Sequence, residues 1–197
     1  MIISHKHKFI FLKTKKTAGS SLEKILMKYA GPDDICTGSE RDHTPRVNTK
    51  IVDGHIPASK IRQMFPDEWG SYFKFTIERN PWDFFVSRFY WYTVTKKRRA
   101  KRGFDVFIRD PKNLDTNWDL YTDGNNNILV DKIFKYETLH EELTNQNILP
   151  YDGELEHVRL KSGYRKDSNY KSMYTDETKE IVFNKCKNII DLFDYKF

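Results

Sequence analysis

The stretch from Lys8 to Tyr29, KFIFLKTKKTAGSSLEKILMKY, limits the possible folds more than any other, because it reads as a strand, a tight polar loop and a helix in direct succession. Phe9 to Leu12 is a short continuous apolar run, as expected of a buried parallel strand. Leu22, Ile25, Leu26 and Tyr29 then recur at i, i+3, i+4 and i+7, which is one face of a helix. Between them, Lys13 to Ser21 places cations, small residues and hydroxyls where the helix begins. A helix N-terminus presents unpaired N–H groups and a partial positive charge, so small residues there suit an approaching oxyanion, and the expected guest is a phosphate. From these residues alone, a lysine-rich turn before an ordinary capped helix reads equally well.

The spacing excludes one kind of phosphate loop. A Walker A loop puts Gly before Lys and Ser or Thr directly after it, whereas here Lys16-Thr17 comes first and Gly19-Ser20-Ser21 follows. That disfavours a P-loop kinase. The chain has 197 residues and 15% aromatics, enough to bury the core of a single α/β domain over 1–197. No apolar run is long enough to span a bilayer, and MIISHKHKFIFLK lacks a small-residue cleavage site, so a cytoplasmic protein is expected. Cys36 and Cys186 stand apart without a CxxC pattern, which fits a reducing compartment and gives no zinc signature. A net charge of +6 favours an anionic partner without choosing among a nucleotide, an acidic glycan and a nucleic acid.

Further along, 31–49 reads as a long loop and Lys50 to Val52 as a short strand. Asp53-Gly-His55 leads into a helix from Pro57 that buries Ile61, Met64 and Phe65. Phe73, Phe75 and Ile77 alternate in a half-buried strand that ends at Arg79-Asn-Pro81. Proline starts a second helix with Trp82, Phe85, Val86, Phe89 and Tyr90 on one face and Ser87 on its polar side. The basic run KKRRAKR over 96–102 follows. It motivates a nucleic-acid-binding alternative, although a charge run is commonly a solvated face and no nucleic-acid motif accompanies it. Lys132 to Tyr136 is a third strand, Leu139 and Leu143 belong to the helix after it, and Thr175 caps a final helix that buries Val182, Cys186, Ile189, Ile190 and Phe193.

Lys16-Thr-Ala-Gly-Ser-Ser-Leu22 after an apolar strand resembles the 5′-phosphosulfate loop of the sulfotransferases, enzymes that use 3′-phosphoadenosine 5′-phosphosulfate (PAPS). It is most similar to the carbohydrate branch, which includes the 2-O-sulfotransferases. Arg79-Asn-Pro, with Ser87 eight residues after the arginine, resembles the family's 3′-phosphate motif. An Arg fork and a hydroxyl are apt donors to one phosphate. Val130 to Leu139, Tyr174 to Thr178 and Asp191 to Phe197 are similar to later family segments. Lys15 departs from the pattern where a proline often stands, and Phe84 where a second basic residue is common.

The resemblance implies a P-loop-like three-layer α/β fold with a central, mainly parallel sheet flanked by helices. It implies that Lys16, Thr17, Ala18, Gly19, Ser20 and Ser21 hold the 5′ end of PAPS and that Arg79 and Ser87 hold its 3′-phosphate. His55, in Asp-Gly-His-Ile, matches the Gly-His step that carries the catalytic histidine of the 2-O-sulfotransferases, and imidazole is suited to accept a hydroxyl proton at neutral pH. His43 is the second choice of base, and an acid such as Glu78 the third. Lys16 joins His55 as a catalytic residue by neutralising charge on the leaving phosphate. The scheme needs no metal, releases adenosine 3′,5′-bisphosphate, and takes a hydroxyl compound, expected to be a glycan, as acceptor. A PAPS-fold binding module without activity is the other possibility from this side.

Overall fold

The computed structural model describes residues 1–38, 44–51, 53–95, 103–147, 149–151, 153 and 169–197. His43, Val52, the Lys96 to Arg102 run and His157 lie outside the described residues. The described chain divides into two compact units, Met1–Glu78 with Asn117–Leu160, and Arg79–Thr116 with Lys161–Phe197.

The first unit is an α/β unit built on a five-stranded sheet of order β3-β1-β2-β4-β5, with β1 Ile2–Ser4, β2 Phe9–Phe11, β3 Ile35–Cys36, β4 Phe73–Glu78 and β5 Lys132–Lys135. The strands β2, β4 and β5 run parallel and form its centre. Two antiparallel strands absent from the sequence expectation, β1 and β3, extend it, so the sheet is mixed. The β1–β2 turn, His5 to Lys8, has none of the Gly or Asn that usually mark a hairpin. Its N–H groups are instead satisfied from outside: the buried Asp34 carboxylate accepts from His5 N–H at 2.8 Å, Lys6 N–H at 3.1 Å and the Ser4 hydroxyl at 2.7 Å.

Helices cover both faces of this sheet. One face packs Phe9, Phe11, Phe75, Ile77 and Phe134 against Leu22 and Leu26 of α1 (Gly19–Leu26) and against Leu139 and Leu143 of a later helix (Leu139–Thr144). The other packs Ile3, Ile10 and Leu12 against Ala58 and Ile61 of α2 (Ala58–Met64), Trp69 of α3 (Pro66–Ser71) and Tyr121. Because β4 is central, Phe75, Thr76, Ile77 and Glu78 are all buried, and the alternation seen in the sequence does not mean a half-solvated strand. The helix after His55 is shorter than expected. Pro66 forces Phe65 to φ −136, which ends α2 at Met64, starts α3 and leaves Met64 40% exposed. Lys50 and Ile51 are not in a strand.

The second unit is helical. Its α4 (Pro81–Thr95) begins with Pro81 at the first helical position and Asn80 as its cap, the Asn80 side chain accepting from Trp82 N–H at 3.1 Å. Phe89 packs on Phe104 and Phe107 of α5 (Gly103–Arg109). In the first unit, Asn117 precedes α6 (Trp118–Tyr121), and Leu139–Thr144 is α7. The expected last helix is two, α8 (Asp176–Lys185) and α9 (Lys187–Phe193), parted at Cys186. The buried stripe Val182, Cys186, Ile189, Ile190 runs across the break, and Thr175 caps α8 reciprocally with Thr178.

Candidate active site

The Lys13 to Ser21 loop leaves the C-terminal end of β2 along β4, and side chains take over where strand pairing stops. Leu12 N–H donates to Phe75 O at 2.9 Å, and the Thr76 hydroxyl donates to Leu12 O at 2.7 Å. The Thr14 hydroxyl then donates to Ile77 O. With that proton committed, the Thr17 hydroxyl donates to Thr14, whose Oγ1 lies at 2.8 Å. Thr17 is fully buried, and its hydroxyl braces the loop from within.

Lys16 and Ala18 have φ of 60 and 58, the left-handed region that side chains other than Gly rarely adopt. Such strain persists where surrounding structure enforces it, and left-handed residues in a turn gather main-chain N–H groups into an anion-binding concavity. Ala18 occupies the N-cap position of α1 and has no side chain able to cap it. Ser20 and Ser21 form the first turn, closed by Ser21 N–H on Ala18 O at 2.9 Å.

Gly19 is required for close approach, not for its dihedral angle. A Cβ there would lie 2.9 Å from Lys13 Cγ. That lysine cannot swing away freely, because its ammonium donates to the buried Glu23 carboxylate at 2.6 Å. Gly19→Ala is therefore expected to lower unfolding free energy by about 1–3 kcal/mol, the usual cost of overpacking. Urea titration checks this, and an unchanged midpoint would mean that the loop gives way without cost.

His55 is brought to the root of this loop although 42 positions separate it from Lys13: its Nδ1 lies 2.9 Å from Lys13 O. A carbonyl only accepts, so Nδ1 carries the proton in the neutral ring and Nε2 keeps the lone pair. Its N–H donates to Asp53 Oδ1 at 2.9 Å, which fixes the approach of the segment. Burial pushes the His55 pKa below the ordinary histidine value, and the charges of Lys13, the Met1 ammonium and Lys15 push the same way. Glu78, the third choice of base, is 2% exposed, with one oxygen accepting from Asn117 Nδ2 at 3.3 Å and the other from the Tyr121 hydroxyl at 2.8 Å.

In the second unit, Arg79 and Ser87 sit around Asp83 at steps of four residues. Arg79 Nε and Nη2 both donate to Asp83 Oδ2, at 2.9 and 2.6 Å. Arg79 is 9% exposed and Ser87 half-buried. Asp83 was not singled out in the sequence, although an acid four positions after the arginine is the familiar helical pairing. Phe84, at the position noted as a departure, is buried against Phe85.

Among the described residues, no group of three or more His, Cys, Asp or Glu is placed to hold a metal ion. No helix among them is long and apolar enough to cross a membrane. No curated protein gives a significant match to the chain. Residues 1–192, which take in the loop, His55, Arg79 and Ser87, match the sulfotransferase family, to which this chain belongs.

Proposed function

We propose that the protein transfers a sulfuryl group from PAPS to an acceptor hydroxyl on a carbohydrate, with His55 as general base and the whole of 1–197 acting as one sulfotransferase domain of the 2-O-sulfotransferase-like branch. The observation that carries this reading is the bond from His55 to the Lys13 carbonyl. It fixes the tautomer whose neutral ring keeps Nε2 as acceptor, at the root of the loop that opens α1.

The loop suits the donor. Ala18 and Gly19 are small, the helix start lacks a capping side chain, and the left-handed residues turn the main chain in the manner of an anion-binding concavity. Main-chain N–H groups within Lys16 to Ser20 would hold the 5′-phosphate, with the Ser20 and Ser21 hydroxyls. Arg79, oriented by Asp83, and Ser87 would hold the 3′-phosphate. PAPS supplies an activated sulfuryl group: as the acceptor oxygen bonds to sulfur, the bridging S–O bond breaks and adenosine 3′,5′-bisphosphate leaves. His55 Nε2 takes the acceptor's proton, and the Lys16 ammonium and loop N–H groups bind the growing negative charge more strongly than the ground state. Lysine and main-chain donors serve where many kinases use magnesium. A reducing, cytoplasmic setting agrees with Cys36 and Cys186, both buried and neither in a disulfide. Membership in the sulfotransferase family counts against the P-loop kinase and nucleic-acid alternatives.

Nucleotide selectivity tests the reading. Adenosine 3′,5′-bisphosphate at about 100 times its Kd is expected to stabilise the fold by roughly 2.7 kcal/mol, with AMP and ATP giving much smaller shifts of Tm. Arg79→Ala should remove the preference for the 3′-phosphorylated nucleotide. Equal shifts for ATP with magnesium would overturn the assignment and return attention to a kinase.

A further inference from the structure

Asn117 occupies the N-cap position of α6 but makes no cap hydrogen bond there. An Asn at that position ordinarily accepts from the first turn of its own helix. Here the amide is turned instead onto the main chain of Lys15, 102 positions away. Asn117 Oδ1 accepts from Lys15 N–H at 2.8 Å, and Nδ2 donates to Lys15 O at 3.0 Å. Nδ2 also donates to Glu78 Oε1 at 3.3 Å, and Glu78 Oε2 accepts from the Tyr121 hydroxyl at 2.8 Å. The amide orientation follows from these partners: the Lys15 N–H requires an oxygen opposite it, while the Lys15 carbonyl and the Glu78 carboxylate require the nitrogen. Asn117, Glu78 and Tyr121 are 1%, 2% and 0% exposed.

A side-chain amide presents one acceptor and one donor side by side, as a strand residue does, so Asn117 pairs with Lys15 in place of a neighbouring strand. It continues the series of contacts in which Phe75, Thr76 and Ile77 of β4 hold Leu12 and Thr14, with Glu78 as the next step. The residue after Lys15 is Lys16, held in a left-handed conformation that an unconstrained loop would leave. We propose that Asn117, braced by Glu78 and Tyr121, is a positioning residue of the phosphosulfate loop: it fixes the Lys15 main chain before ligand arrives and so keeps Lys16 in its strained, binding-ready conformation. This rests on the reading of the loop as the 5′-phosphosulfate site. Only an amide fits both sides of Lys15. Asp would set a carboxylate oxygen against the Lys15 carbonyl and beside Glu78, and Ala would remove both bonds to the Lys15 main chain.

The test compares Asn117→Asp and Asn117→Ala with Leu143→Ala, a core truncation on α7, all assayed well below their melting temperatures. The Asn117 variants are expected to bind adenosine 3′,5′-bisphosphate about 10-fold more weakly and to lose 10- to 100-fold in kcat with PAPS, because a misplaced Lys16 affects the transition state more than the ground state. Leu143→Ala should lower Tm without either change. Asn117 variants that lose Tm yet keep nucleotide affinity and kcat would overturn the proposal and leave a structural residue only. Hydrogen exchange on the wild-type protein provides a readout that needs no variant to fold. In the ligand-free protein the Lys15 amide should exchange as slowly as those of β2, with little change when adenosine 3′,5′-bisphosphate is added, while the Gly19 amide gains protection. Rapid exchange at Lys15 overturns the clamp. Absence of any binding of adenosine 3′,5′-bisphosphate by the wild type would instead overturn the site reading itself.

Discussion

Replacing His55 by alanine is expected to lower kcat by about 10²–10⁴-fold while leaving the affinity for adenosine 3′,5′-bisphosphate near that of the wild type, the signature of a lost proton acceptor. The geometry gives the reason. With Nδ1 donating to the Lys13 carbonyl, the ring is held in one tautomer and its only basic nitrogen is Nε2. The pH profile follows from the environment. Burial comes first among the causes that depress the His55 pKa, so the acid limb of kcat/KM should lie below about 6.5, the value for an unperturbed imidazole. His55→Ala should lose that limb. The same shift acts on stability. The unfolded chain binds the proton more readily than the folded one, so this group's contribution is present above the unfolded pKa and falls away as pH drops through the window towards the lower folded pKa. Full turnover by His55→Ala with the true acceptor would refute the assignment. His43 would then be tried before Glu78, since both Glu78 oxygens already hold donors within the fold.

The parts of this site that are local in sequence were legible in it. An apolar run followed by small residues and a helical stripe defines β2, the loop and α1, because each signal comes from neighbouring positions. The same holds for β4, its terminating Arg-Asn-Pro and α4, where Pro81 and Asn80 mark the helix start. What stayed hidden depends on contacts between distant positions. The strand β1 escaped notice because the carboxylate that closes its turn, Asp34, lies almost thirty positions on, so the turn needs no glycine. Asn117 is not singled out by the sequence, since nothing local distinguishes an Asn that caps its own helix from one turned onto Lys15. The loop's strain was hidden for a related reason. Small residues mark the loop in the sequence without showing where it is strained: the left-handed residues are Lys16 and Ala18, and Lys13 lies against Gly19. Thr17 is placed at the 5′ end of PAPS by the resemblance, and the sequence gives no sign that its hydroxyl is turned into the protein onto Thr14.

The largest effect on stability is expected at Glu23, a residue of α1 with no exposed surface that sits behind the loop. Its carboxylate accepts from the Lys13 ammonium at 2.6 Å and from the Met1 ammonium at 3.1 Å. Cations at such depth are tolerated only while paired, and removing one partner of a buried pair typically costs about 3–5 kcal/mol because the other charge is left uncompensated. Glu23→Ala should therefore lose unfolding free energy on that order in urea titrations, and Glu23→Gln, which keeps hydrogen-bonding atoms but not the charge, should lose less. The double variant Lys13→Met, Glu23→Leu should recover part of the loss, since an apolar pair of similar volume carries no desolvation cost. The effect should reach the chemistry as well. Lys13 binds Glu23 through its ammonium, His55 through its carbonyl and packs on Gly19 through its Cγ, so releasing its side chain loosens both the base and the start of α1. Glu23→Gln, assayed well below its Tm, should thus lower kcat more than the nucleotide affinity. A Glu23→Ala protein that lost less than about 1 kcal/mol, the range of an exposed ion pair, would show that water reaches the pair and that Lys13 does not anchor the loop through it.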